Sequence, residues 1–86
     1  MNDTEKTVAV LTDEDRAILF DSDGEQLIEV NLSGRDGNAF AILGGCQKAA
    51  RRARVSKEGI DAILEEMKNG GYENLLQVAM KYFDVT

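Results

Sequence analysis

Apolar positions follow two different rhythms along the chain. In the first third they come as short runs. Thr7 to Leu11, TVAVL, is rich in β-branched residues and reads as a strand. Thr12 to Arg16 is a charged turn, and Ala17 to Asp21, AILFD, is a second apolar run. Asp23-Gly24 is the residue pair of a type I′ hairpin turn. Gln26 to Leu32 then returns as a third strand, with Ile28, Val30 and Leu32 alternating with Glu29 and Asn31. A competing reading makes Asp13 to Phe20 a short helix capped by Thr12 or Asp13.

From residue 38 onward the period changes to that of a helix. Asn38 is a good N-cap, because its side-chain oxygen can accept from an early helical N–H. The helix it opens runs from about Ala39 to Ala53. Ala39, Ile42, Leu43, Cys46, Ala49, Ala50 and Ala53 form its apolar arc. Ser56 caps a second helix, Lys57 to Lys68, whose stripe is Ile60, Ile63, Leu64 and Met67. Gly59 stands where the Glu or Gln of a capping box would be, so no reciprocal bond to Ser56 is expected. Glu65 and Glu66 are placed off the stripe. Asn69-Gly70-Gly71 ends this helix, and a third runs from Tyr72 to Phe83, burying Tyr72, Leu75, Leu76, Ala79 and Phe83. Leu43, Ile63, Leu76 and Phe83 are the expected centre of the core. Asp84-Val85-Thr86 is a tail placed along the sheet.

The pattern predicts an α+β fold: a three-stranded antiparallel β-meander followed by three α-helices packed on one face. With 86 residues it is read as one domain, a β-rich part over 1–33 and a three-helix part over 38–83. Hydrophobic residues make up 43%, enough to exclude a compositionally disordered chain. There is no Pro, so turns rest on Gly, Asn and Asp. Cys46 is the single cysteine, which excludes an internal disulfide. No apolar run approaches the ~20 residues of a membrane span, and MNDTEK is unlike a signal peptide. These features imply a cytoplasmic protein with no membrane association.

Charge is segregated. The net of −6 divides into −7 over residues 1–29, +5 over 30–57 and −4 over 58–86. Mutual neutralisation in space is the simplest reading of that pattern. The basic segment holds the candidate interaction surface. Lys48, Arg51 and Arg52 lie opposite the apolar arc of the first helix. Ala41, Gly44 and Gly45 lie beside Lys48 and Arg52, and Phe40 leans the same way. Gly44 and Gly45 each cost a helix interior roughly 1 kcal/mol against Ala, so something must offset them. Either the chain's own sheet or third helix packs there, or a partner or dimer mate does. A basic rim around small residues suits an acidic partner.

Chemical signatures are sparse. There is no His, and Cys46 falls on the apolar arc without an evident base, so no catalytic residue is assigned. Asp21, Asp23 and Glu25 begin like a calcium loop, but Leu32 stands where the closing Glu is required, so a hairpin turn is preferred and no metal is assigned. The Gly34–Asn38 loop could present N–H groups to an anion beside Arg35, with Asp36 competing for the same place. Ala50, Val55, Ser56, Ile60 and Ile63 have helix-turn-helix spacing. Against DNA stand Arg54, where that turn usually has Gly, and the acids Glu58, Asp61, Glu65 and Glu66 on the second helix.

Over residues 30 to 83, and most specifically at GRDGNAFAILG, the chain resembles small bacterial and phage proteins to which no activity is assigned. The resemblance implies a bacterial or mobile-element context and nothing about chemistry. The expected function is therefore that of a small non-enzymatic protein-binding or regulatory protein, with a protein partner or a homodimer and no cofactor or small-molecule substrate. A helix-turn-helix nucleic-acid binder is the alternative.

Overall fold

The computed structural model describes residues 3–31 and 38–86. They form five helices and two very short strands: α1 (Asp3–Val10), α2 (Asp13–Leu19), β1 (Glu29–Val30), α3 (Ala39–Arg52), α4 (Lys57–Lys68), α5 (Tyr72–Tyr82) and β2 (Asp84–Val85). The meander expected from the first third is not there. The fold is mostly helical, with a two-stranded parallel sheet.

Each expected strand has a physical reason for its failure. TVAVL forms the end of α1 and the residue after it. In a helix, Thr7 and Leu11 are four residues apart and share a face. Both are buried, while Val8 and Val10 are exposed. The face that packs against α4 outweighs the β-preference of the valines. AILFD is split in the same way. Asp13–Leu19 is helical, as the competing reading had it, and Thr12 is the N-cap. Thr12 Oγ1 accepts from Asp15 N at 3.0 Å, and Asp15 Oδ2 accepts from Thr12 N at 3.3 Å. That is a capping box with Asp in the place usually held by Glu or Gln.

Of the third strand, Glu29–Val30 alone is strand among the described residues; its last residue, Leu32, lies outside them. A single antiparallel bridge, Phe20 with Gln26, closes the turn around Asp23-Gly24, where Gly24 takes φ +84°. Glu29 and Val30 instead pair with Asp84 and Val85, the tail expected along the sheet. Asp84 N donates to Ile28 O at 2.8 Å and Thr86 N to Val30 O at 2.9 Å. The pairing is parallel because three helices intervene before the chain returns.

The helical part follows the sequence closely. Asn38 Oδ1 accepts from Ala41 N at 2.8 Å, and Ser56 Oγ accepts from Gly59 N at 3.1 Å. α4 lies at the centre, packing on α1, α3 and α5. Ile42, Cys46 and Ala50 of α3, Ile60, Ile63 and Met67 of α4, and Leu75, Ala79 and Tyr82 of α5 are buried. Phe83 joins them, whereas Leu43 and Leu76 are only partly covered at the core's border. Tyr72, expected inside, is exposed.

α3 ends in a Schellman turn: Val55 N donates to Ala50 O at 3.1 Å and Arg54 N to Arg51 O at 3.0 Å. Arg54 occupies the left-handed position at φ 72°, where Gly is usual. The hydrophobic partners of that turn, Ala50 and Val55, are both buried.

Candidate functional site

The outward side of α3 and the edge of β1 form a groove of about 460 Å³. Phe40, Ala41, Gly44 and Gly45 line one end, and Lys48 and Arg52 the other. Glu29, Val30 and Asn31 of β1 form the opposite wall, and Ala49 completes the lining. Six of the seven residues assigned from the sequence thus share one concavity. Arg51 does not: it faces a separate cleft of about 260 Å³ with Gln47, Lys57 and Asp61.

The spacing that produces the groove is helical. Residues 40, 44, 48 and 52 follow one another at four-residue intervals, so they stack along one side of α3 over roughly 18 Å. Phe40 is 86% exposed, the most exposed large hydrophobic among the described residues. Gly44 is exposed too, and a Cβ built there would meet nothing within 4 Å among the described residues. Close packing against the described residues therefore does not account for Gly44. Gly45 is half-buried, on the side where β1 packs on α3.

Lys48, Arg51 and Arg52 are exposed and make no ion pair among the described residues. Arg51 and Arg52 lie in the last turn of α3, where the helix dipole favours cations.

Two buried carboxylates escaped the sequence reading. Asp15 is 2% exposed. Besides closing its own helix, it accepts from Ser56 N at 2.8 Å and Ser56 Oγ at 2.6 Å. One carboxylate on α2 therefore supplies the reciprocal bond that Gly59 cannot give to the N-cap of α4. Gly59 makes room for it: a Cβ there would lie 2.9 Å from Asp15 Oδ2 and 3.0 Å from Leu11 Cδ2. Desolvation pushes the Asp15 pKa up, but the hydrogen bonds from Ser56 and Thr12 outweigh it and hold the group below its ordinary value.

Glu66, placed off the stripe by the sequence, is buried between α1 and α5. Its Oε1 accepts from Thr7 Oγ1 at 2.7 Å and Tyr82 OH at 2.8 Å, and its Oε2 from Lys81 Nζ at 3.2 Å. Lys81 also lies 5.0 Å from the Tyr82 ring centroid. Burial, then the Glu66 contact, push the Tyr82 phenol well above its usual range. The available signal was position: Glu66 is two turns beyond Gly59, on the flank of α4 that receives α1.

The remaining candidates are structural in their contacts. Cys46 is fully buried, and burial pushes its thiol up to about 11, far from a nucleophile's range. Asp21 Oδ1 accepts from Asp23 N at 2.8 Å and Glu25 N at 3.0 Å, so it braces the turn. No group of three metal-ligating side chains occurs among the described residues. The Gly34–Asn38 anion loop lies outside the described residues except for Asn38, which caps α3.

Ala50, Val55, Ile60 and Ile63 are buried at the α3–α4 corner as a helix-turn-helix requires. The exposed side of α4, however, carries Glu58, Asp61 and Glu65 beside Lys57 and Lys68. No helix among the described residues is long and apolar enough to cross a membrane. The chain matches no protein-family model, no curated protein and no solved structure.

Proposed function

We propose that this is a small non-enzymatic protein-binding or regulatory protein that acts through the α3–β1 groove. The observation that carries the reading is the exposed side of α3: an 86%-exposed Phe40 and a Gly44 with open space beside it stand in line with Lys48 and Arg52, which make no ion pair among the described residues. An aromatic anchor next to a smooth floor permits close approach, and the cations steer an acidic surface into register. The context is a bacterial or mobile-element one, in the cytoplasm, in keeping with the GRDGNAFAILG resemblance.

Nucleic-acid binding is the second reading. It is favoured by the buried α3–α4 corner and by the exposed Arg54 and Lys57 beside it. It is opposed by the acids on the exposed side of α4, which phosphates repel.

A photo-crosslinking residue at Phe40 tests the proposal in the bacterial host. It should capture a specific protein, and Gly44→Leu should abolish capture while helicity and melting temperature are not lowered. A probe at Met80, exposed on α5, is the control. Equal capture from both positions, or full capture by Gly44→Leu, would refute the groove as the contact. Crosslinks to nucleic acid instead would favour the second reading.

A further inference from the structure

We infer that the occupant of the α3–β1 groove is a second copy of this chain, which inserts its acidic Asp21–Glu25 turn head to tail. The inference rests on the reading of the groove as a contact surface.

The chain carries a segment with the complementary chemistry. Asp21, Asp23 and Glu25 are all exposed. The Asp21 carboxylate is committed to the turn, while those of Asp23 and Glu25 make no hydrogen bond or ion pair among the described residues. The turn is preorganised: Asp21 N donates to Glu25 O at 2.9 Å and Gly24 N to Asp21 O at 3.0 Å. Rigid presentation lowers the ordering cost of docking. At its base Leu27 is 55% exposed, an apolar residue for which Phe40 is the matching surface.

The spans agree. Phe40 and Lys48 are eight residues apart on a helix, about 12 Å. Leu27 lies four residues from Asp23, at most about 13 Å along extended backbone. Because the turn folds back, the actual distance is shorter. With Leu27 on Phe40 it is the long Lys48 side chain that meets the Asp23 and Glu25 carboxylates, and Arg52 lies a further turn along α3.

Symmetry distinguishes this contact from a twofold dimer through α3. Two α3 faces would oppose like charges, which is unfavourable. The groove, where Lys48 and Arg52 outnumber Glu29 of the opposite wall, and the acidic turn are different surfaces, so the contact is heterologous and leaves one of each free at the ends. The net charge of −6 opposes approach at low salt. At ~0.15 M the Debye length of about 8 Å screens that long-range repulsion, while pairs in contact persist. One turn in one groove falls below the ~1,200 Å² of a standard interface, so the association is weak.

Sedimentation of the purified protein up to about 1 mM at ~0.15 M salt tests this. Wild type should self-associate, and both Lys48→Glu/Arg52→Glu and Asp23→Lys/Glu25→Lys should be monomeric with unchanged circular dichroism. An equimolar mixture of the two variants should regain association, since each retains the surface the other lacks. If the lysine variant loses helicity, Asp23→Asn/Glu25→Gln takes its place. A wild type that stays monomeric throughout overturns the inference, as does undiminished association of the turn variant or a mixture that fails to associate. A monomeric wild type that still gives the Phe40 crosslink would leave the groove as a contact for a different, acidic protein.

Discussion

Replacing Asp15 by Ala removes more than one surface carboxylate normally could. The side chain accepts from Thr12 N, Ser56 N and Ser56 Oγ, and so closes the first turns of both α2 and α4. Loss of an N-cap costs about 0.5–2 kcal/mol, and a hydrogen bond to a charged group contributes roughly 1.5–3 kcal/mol. Because the three bonds share one acceptor they do not add fully, and we expect a loss of about 3 kcal/mol. Against the ~5–10 kcal/mol expected of a domain this size, that is a large fraction.

Urea melts give the loss directly, and a double-mutant cycle with Ser56→Ala isolates the part carried by the Ser56 hydroxyl. Ser56→Ala still leaves the backbone N–H bonded to Asp15, so the coupling should be about 1 kcal/mol or more. Acid titration supplies an independent check. The Asp15 pKa is lowered by folding, so its contribution is fully present above the ordinary value of ~3.9 and disappears as pH falls through the folded-state pKa. Stability of Asp15→Asn should therefore fall less steeply than that of wild type below about pH 4. Additive single-mutant effects, or an unchanged midpoint for Asp15→Ala, would refute the shared cap.

Four further outcomes follow from the packing. Gly59→Ala should destabilise by about 1–3 kcal/mol despite its better helix propensity, because its Cβ meets Asp15 and Leu11 at 2.9 and 3.0 Å; a stabilised variant in denaturant melts would contradict the close approach. Gly44→Ala should have the opposite sign, gaining up to about 1 kcal/mol at an open helical position, and a loss in the same assay would show unseen packing. Thr7→Val should weaken the docking of α1 on α4 by roughly 1 kcal/mol, seen as faster amide exchange in α1, while an unchanged rate would mean that Glu66 does not hold it. Cys46 should react with a thiol reagent only on unfolding, since its thiol is buried and pushed up to about 11; rapid labelling of the native protein would contradict the assigned face of α3.

The second half of the chain was legible because its information is local. Asn38 and Ser56 cap their own helices, and the period-3.6 stripes of α3, α4 and α5 mark the buried faces directly. The side of α3 carrying Phe40, Gly44, Lys48 and Arg52 was equally readable, since one helix fixes the relation among its own residues. What the other wall of that groove is made of was decided by tertiary structure, when β1 came to lie against α3.

The first third is where local reading failed. Short β-branched runs favour a strand only if a sheet receives them. Here α4 offers a helical partner, and Thr7 and Leu11 pack on it while Val8 and Val10 are left to solvent. The buried acids depend even more on distant sequence. Asp15 and Ser56 are 41 residues apart, and Thr7 and Glu66 are 59 apart. Nothing near Gly59 says that a carboxylate from another helix will complete its cap. Helix periods and caps are settled by neighbours within about one turn, so the sequence determined them. Which polar groups are buried depends on who is bonded to whom across the core, and that exists only once the chain has folded.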